Sequence, residues 1–78
     1  MKIDIISPEK KLFEGECKSL VVPGSEGSLG ILSNHAPMIA SLKRGEVKIT
    51  TNDSKNLSFP IKGGVIEVFK NKVIVLAE

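Results

Sequence analysis

A chain of 78 residues has room for one domain, because two halves would each be too small to bury a core. The single cysteine, Cys17, excludes an intrachain disulfide, and the single histidine, His35, makes a structural Cys/His zinc site implausible. Eleven basic and nine acidic residues lie scattered along the chain, and three Phe with no Tyr or Trp are too few aromatic residues for a typical nucleic-acid binder.

The same totals indicate where such a domain works and what stabilises it. No apolar run approaches the ~20 residues of a membrane span, and the N-terminus lacks the basic-then-apolar order of a signal peptide. A lone thiol fits a reducing compartment, so we expect a cytoplasmic location. With no disulfide, metal or cofactor expected, a protein partner is the remaining source of added stability for so small a core.

Short Val- and Ile-rich runs separated by Pro, Gly, Asn, Asp and Ser predict an all-β chain without helices. The first strands are expected over residues 2–6, 10–14 and 16–22. In the third, alternation puts Cys17, Ser19 and Val21 on one face, and Pro23-Gly24 should end the strand in a turn. The glycine spacing that follows predicts a bent strand or bulged loop over 25–31.

The second half of the chain continues this pattern. Strands are predicted over residues 38–42, 46–51, 57–61, 65–69 and 73–76. Pro60 lacks the N–H of a strand ladder and predicts an edge strand or a bulge, whereas the last hairpin is apolar on both faces and is expected at the centre of the core. Nine or ten short strands predict a two-sheet sandwich in preference to a small closed barrel.

Three patterns invite a catalytic or nucleotide-binding interpretation, and each lacks a required part. Glycines at 24, 27 and 30 lack the G-x-G of a dinucleotide loop, the G-K-[ST] of a P-loop and a following helix to hold phosphate. His35 lies near Ser33 and Ser41 in sequence, but no group is evident that would orient its imidazole or form an oxyanion hole. The carboxylates are most simply solvated charges. We therefore predict no catalytic residue, no metal site and no enzyme activity over residues 1–78.

One stretch carries a specific resemblance to a known family. Residues 23–38 read PGSEGSLGILSNHAPM, which resembles the pattern G-S-E-G-x-L-G-I-x-x-x-H-A-P, followed by Leu or Met, of ATP synthase epsilon subunits. The opening IISPEKKLFEG over 5–15, and the closing GGVIEV over 63–68 with VIVLA over 73–77, are similar to the first and last segments of the family's β-sandwich domain. Independently, the apolar stretch between Leu29 and Met38 favours docking on a partner.

The resemblance implies a flattened sandwich of two roughly five-stranded sheets with a mechanical, non-catalytic role. In the family this domain binds the gamma subunit and the c-subunit ring, as the part of the central stalk that couples proton-driven ring rotation to ATP synthesis. It implies a hetero-oligomeric complex, peripheral on the cytoplasmic face of the bacterial inner membrane and not inserted into it. The residues that the resemblance puts in ring-facing loops are Glu26, Gly27, Leu29, Gly30, His35, Ala36, Pro37 and Met38.

Two departures limit what carries over from the family. The family usually continues into an alanine-rich helical hairpin that inhibits ATP hydrolysis and in some members binds ATP, so we expect a short form without those functions. Ser28 stands where the family often has a charged residue, so a charge contact is not expected there. The alternative hypothesis is a free-standing small β-barrel that binds an oligonucleotide or a peptide, which the strand count and mild basicity permit.

Overall fold

The computed structural model describes all 78 residues, and its regular structure consists entirely of strands. The eight strands are β1 (Lys2–Ile6), β2 (Lys11–Gly24), β3 (Gly27–Leu32), β4 (Met38–Leu42), β5 (Gly45–Thr51), β6 (Asn56–Ile61), β7 (Gly64–Phe69) and β8 (Lys72–Ala77). No helix of the length and apolarity needed to cross a membrane is present. The prediction of an all-β fold is confirmed.

The 14-residue strand β2 takes the place of two predicted strands. It runs through Gly15 without a break, and the chain reverses only after Gly24, at Ser25 and Glu26. The predicted strand end near Gly15 and the predicted turn at Pro23-Gly24 are therefore wrong. Pro23 fits within the strand because the pairing of β2 with β5 has already ended at Val21, so no ladder bond on that side needs its missing N–H.

Two sheets share β2 as their common strand. The four-stranded sheet has the order β3-β2-β5-β6, and the five-stranded sheet has the order β2-β1-β8-β7-β4. All pairs are antiparallel except that of β1 with β8. A bridge between Gly24 and Leu42 joins the end of β2 to β4. The predicted β-sandwich is confirmed, with fewer strands than expected because β2 serves both sheets.

Aliphatic side chains from both sheets fill the space between them. Sixteen residues form one buried cluster, and seven of them are completely inaccessible to solvent: Ile3, Ile5, Cys17, Val47, Ile66, Val73 and Val75. Three of these seven lie on β7 and β8, so one side of the last hairpin belongs to the core as predicted, whereas Val65, Phe69 and Leu76 on its other side are exposed. The strand that contains Pro60, β6, pairs only with β5, which confirms the predicted edge position.

A bulge in β2 changes which of its side chains face the core. The pairing with β5 shifts between Cys17 and Ser19, so Cys17 and Leu20 are both buried although they are three positions apart. The prediction that Cys17, Ser19 and Val21 share one face is wrong, because Val21 points to solvent. Strict alternation along a strand does not anticipate an inserted residue.

Candidate partner-binding surface

The predicted interface residues fall into two groups at opposite ends of β3. Glu26, Gly27 and Leu29 lie at or next to the turn between β2 and β3 and are called the turn group. His35, Ala36 and Pro37 lie in the connection between β3 and β4 and are called the loop group. The strand between the two groups is about 17 Å long at 3.3 Å per residue. Gly30 lies within β3 and faces solvent, and Met38 begins β4.

A groove between β3 and β4 brings the turn group together with Met38. Its volume is about 440 Å³, and Glu26, Gly27, Leu29 and Met38 are among its lining residues. The hydroxyl oxygens of Ser25 and Ser41 lie 2.8 Å apart across it. The loop group does not line this groove. The fold therefore connects Met38 to the turn group and leaves the histidine at the other end.

One hydrogen bond links the residue before the loop group to the turn between β7 and β8. The N–H of Asn34, a residue with a φ of 63°, donates to Asn71 Oδ1 at 2.8 Å. His35 Nδ1 lies 2.7 Å from the carbonyl oxygen of Ala36, an arrangement in which Nδ1 carries the proton and donates. The imidazole contacts a backbone carbonyl rather than the hydroxyl of Ser33 or Ser41, so it does not form a nucleophile-and-base pair.

The outward faces of the two sheets differ in polarity. On the four-stranded sheet, Val21 and Leu32 are exposed, but the outward cross-strand pairs of β5 and β6 are mostly polar, as in Lys48 with Ser58 and Thr50 with Asn56. On the five-stranded sheet, four large apolar side chains are exposed to solvent. This apolar face consists of Ile39, Val65, Phe69 and Leu76, with 73, 37, 55 and 49% of their surface accessible.

The strand register arranges these four side chains in two pairs with a carboxylate between them. Val65 on β7 pairs with Leu76 on β8, and Ile39 on β4 pairs with Glu67, which lies between Val65 and Phe69 on the outward side of β7. Pro37, Ile39 and Phe69 line one depression of about 410 Å³, which links the loop group to the apolar face. Sequence analysis missed this face, although its residues alternate along β7 and β8 with the buried ones and so pointed to a second apolar surface.

Charged side chains border the apolar face on β1 and on the first half of β2. Glu14 accepts a hydrogen bond from Lys11 Nζ at 2.9 Å, and its other oxygen lies 3.5 Å from Lys2 Nζ. The hydrogen bond from Lys11, with smaller contributions from Lys2, lowers the pKa of Glu14, and the same bond raises the pKa of Lys11. Asp4, beside them on β1, is buried. No three acidic, histidine or cysteine side chains converge as a metal site would require.

The sequence matches a family model described as "ATP synthase, Delta/Epsilon chain, beta-sandwich domain" over residues 1–78. The chain belongs to this family. The ATP synthase epsilon chain of Chlorobium limicola is 44% identical over 77 residues, which are 99% of this chain and 88% of the relative. The epsilon chain of Leptospira borgpetersenii is 49% identical over 79 residues, but this chain spans only 61% of its length, and it spans 54% of the epsilon chain of Dichelobacter nodosus at 44% identity.

Solved ATP synthase structures contain similar chains. One is in the cryo-EM structure of the Tetrahymena thermophila mitochondrial ATP synthase central stalk and c-ring, with a TM-score of 0.80 and 25% identity over 99% of this chain and 62% of that one. Another, in the Euglena gracilis mitochondrial ATP synthase, has a TM-score of 0.90 over 96% of this chain and 48% of that one; at 18% identity it supports the fold alone.

Family membership decides between the two hypotheses raised by the sequence. The resemblance seen in residues 23–38 is confirmed by the match over the whole chain, in favour of the ATP synthase family over an isolated oligonucleotide- or peptide-binding barrel. The epsilon chain is a non-catalytic subunit of ATP synthase, so the prediction that the chain is not an enzyme is also confirmed.

Proposed function

We propose that this chain is a rotor component of a bacterial ATP synthase that binds the gamma subunit and the c-subunit ring. In this role it couples proton-driven rotation of the ring to ATP synthesis and catalyses no reaction itself. Its location is then the cytoplasmic face of the inner membrane, where the complex holds it as a peripheral subunit. The proposal is supported by the family match over residues 1–78 and by the similarity to a chain of a central stalk and c-ring assembly.

The observation that carries the proposal is the difference between the two outer faces. Exposed apolar side chains scattered singly are ordinary on a protein surface, but a concentration of them on one sheet marks an interaction site. Four of the six exposed large apolar side chains, Ile39, Val65, Phe69 and Leu76, lie on the five-stranded sheet around Glu67, whereas the four-stranded sheet exposes Val21 and Leu32 among mostly polar pairs. The gamma subunit covers this apolar face; the loop group, which the resemblance puts against the ring, adjoins the face at Pro37.

The ring contacts the opposite end of β3 through the turn group. Glu26 presents a carboxylate there, and the neighbouring Ser25 and Ser28 present hydroxyls. Such groups suit hydrogen bonds and bridging waters with the polar loops of a ring better than they suit an apolar interface. The groove of the turn group meets the apolar face at Met38 and Ile39, so the two partners bind adjoining surfaces of one small domain at the same time.

The fold suits the transmission of torque between these two surfaces. The shared strand β2 belongs to both sheets, so the sheets cannot slide past each other without breaking its hydrogen bonds to β1, β3 or β5. The close-packed core between the sheets resists compression for the same reason that organic crystals do. A load applied at the turn group thus reaches the apolar face through a stiff body.

Binding to purified gamma subunit by the Val65→Lys and Val21→Lys variants tests the gamma assignment. The two valines have similar exposure, at 37 and 43%, but lie on opposite sheets, so both substitutions leave the core intact. We expect Val65→Lys to weaken binding by about tenfold or more, since it introduces a charge into an apolar contact, while Val21→Lys binds normally. Absence of binding by the unmodified chain, or equal binding by all three proteins, would refute the assignment.

The ring assignment needs a separate test on the assembled complex. Glu26→Lys reverses the charge of the turn group, and Asp53→Lys reverses a charge at an exposed position in the turn between β5 and β6, at the end of β5 remote from the turn group. We expect Glu26→Lys to reduce proton-driven ATP synthesis in membrane vesicles and Asp53→Lys to leave it unchanged. If the two variants synthesise ATP equally well, the turn group does not contact the ring.

A further inference from the structure

Asp4 has a carboxylate that the fold leaves without a hydrogen bond. Only 9% of the residue surface is accessible, and Oδ1 is buried with no donor in reach. Its cross-strand neighbours are Ile74 on β8 and Glu14 on β2, the first apolar and the second of the same charge. A buried carboxylate oxygen without a donor is costly, so its retention calls for an explanation outside the isolated domain.

The cations nearest to Asp4 are bound elsewhere. Lys11 Nζ donates to Glu14 at 2.9 Å, and Lys2 Nζ lies 3.5 Å from the other oxygen of the same carboxylate. Neither lysine makes an ion pair with Asp4. Both nearby lysines therefore form ion pairs with the exposed Glu14 carboxylate, and neither forms one with the buried Asp4.

Asp4 also lies on the same surface as the apolar face. Its neighbour in β8, Ile74, lies on the outward side of that strand together with Leu76. In the next strand, β7, the residue paired with Ile74 is Glu67, which pairs in turn with Ile39. Only Ile74 and Glu67 separate Asp4 from Ile39 on this surface, so a partner that extends over β8 from the apolar face reaches Asp4.

We propose that Asp4 is the acceptor for one positively charged side chain of the gamma subunit, seated at the charged border of the apolar face. The inference rests on the proposed gamma binding and adds the chemistry of the contact. A neutral donor would leave the carboxylate charge uncompensated under the partner, whereas a cation compensates the charge shared by both oxygens. A guanidinium suits the position best, because it is less strongly hydrated than an ammonium group and matches carboxylate geometry.

Asp4→Asn, with Glu16→Gln as its control, tests the inference by titration with purified gamma subunit. Both substitutions replace a carboxylate by an amide on adjacent strands, and Glu16 is exposed and forms an ion pair with neither Lys2 nor Lys11. We expect Asp4→Asn to weaken gamma binding by about tenfold or more and to reduce its dependence on salt, because it removes a desolvated charge contact. Glu16→Gln is expected to change affinity less than about threefold, as for an exposed charge.

Thermal melting of the chain without gamma separates this role from a structural one. The proposal predicts that Asp4→Asn melts at or above the temperature of the unmodified chain, because an uncompensated carboxylate is removed. If Asp4→Asn lowers the melting temperature while gamma affinity is unchanged, Asp4 is structural and the proposal is overturned. If Asp4→Asn does not fold, Asp4→Leu, which suits the apolar neighbour Ile74, is measured in the same way.

Two further outcomes distinguish the remaining explanations. If Lys11→Met weakens gamma binding as much as Asp4→Asn does, the cation comes from this chain and the inference is overturned. If the unmodified chain binds gamma and Asp4→Asn binds equally tightly, the inference fails while the proposed function stands. If the unmodified chain does not bind gamma at all, both fail.

Discussion

Gly64 is a position at which the backbone leaves no room for a side chain. Its φ is +145°, and an added Cβ would lie 2.1 Å from the carbonyl oxygen of Leu76. We expect Gly64→Ala to lower the free energy of unfolding by about 1–3 kcal/mol. In a domain of this size each kcal/mol lowers the melting temperature by about 4–8 °C. Gly30→Ala is the control, because an added Cβ there meets no atom within 4 Å. Equal melting temperatures for the two variants would contradict this explanation.

The spacing of Gly24, Gly27 and Gly30 predicts the shape of this segment but not the role of each glycine. The sequence predicts a bent or bulged segment there, yet the three glycines serve different ends. A Cβ on Gly24 would lie 2.5 Å from the carbonyl oxygen of Gly27, Gly27 has a φ of +136°, and Gly30 has open space around it. The distinction depends on which strand lies opposite each glycine, and residue type alone does not carry that information.

Because its thiol is buried, Cys17 makes the free energy of unfolding depend on pH in the alkaline range. Burial raises the pKa of this thiol, so the folded state holds its proton more tightly than the unfolded state does. The resulting stabilisation is fully present at neutral pH and is lost as pH rises above the ordinary thiol pKa. We expect Cys17→Val, which keeps an apolar group at the bulge, to lose less stability between neutral and alkaline pH in denaturant titrations. If both proteins decline with the same slope, the thiol is not responsible.

At the scale of elements, most strand bounds were predictable from the sequence, and the errors have a common cause. Strands β1 and β4 have the predicted bounds, and β5 to β8 differ from theirs by at most one residue at each end. The errors are concentrated in β2, where a glycine and a proline were taken as breaks and a bulge changed the alternation. A strand that serves two sheets has two sets of neighbours, and its local sequence does not reveal either of them.

The position of each strand in its sheet should determine how fast its amides exchange with solvent. β8 lies between β1 and β7 and carries the fully buried Val73 and Val75, whereas β6 is an edge strand paired only with β5. We expect the slowest hydrogen exchange in β8 and the fastest among strand amides in β6, because local opening of an edge breaks fewer contacts. Native-state exchange measured by NMR tests this order. Faster exchange in β8 than in β6 would show that the two sheets do not open as the topology implies.

At the scale of the whole molecule, the interface was only partly accessible from sequence. The sequence predicts that the stretch from Leu29 to Met38 is an apolar loop region that docks on a partner, but its first four residues belong to β3, and the predicted site residues are separated along that strand. The apolar face combines Ile39 with residues of β7 and β8 that are about 26 to 37 positions later in the sequence. Only the cross-strand register brings these residues onto one surface.

An uncovered apolar face on a small domain predicts that partner binding adds substantially to stability. A ligand that binds only the folded state at 100 times its dissociation constant adds about 2.7 kcal/mol, which for a domain of this size raises the melting temperature by about 10–20 °C. We expect this increase when gamma subunit is added to the unmodified chain. Val65→Lys provides the control: it should melt normally alone, because Val65 is already exposed, and should show little increase with gamma. If saturating gamma subunit leaves the melting temperature of the unmodified chain unchanged, the gamma subunit does not bind this face.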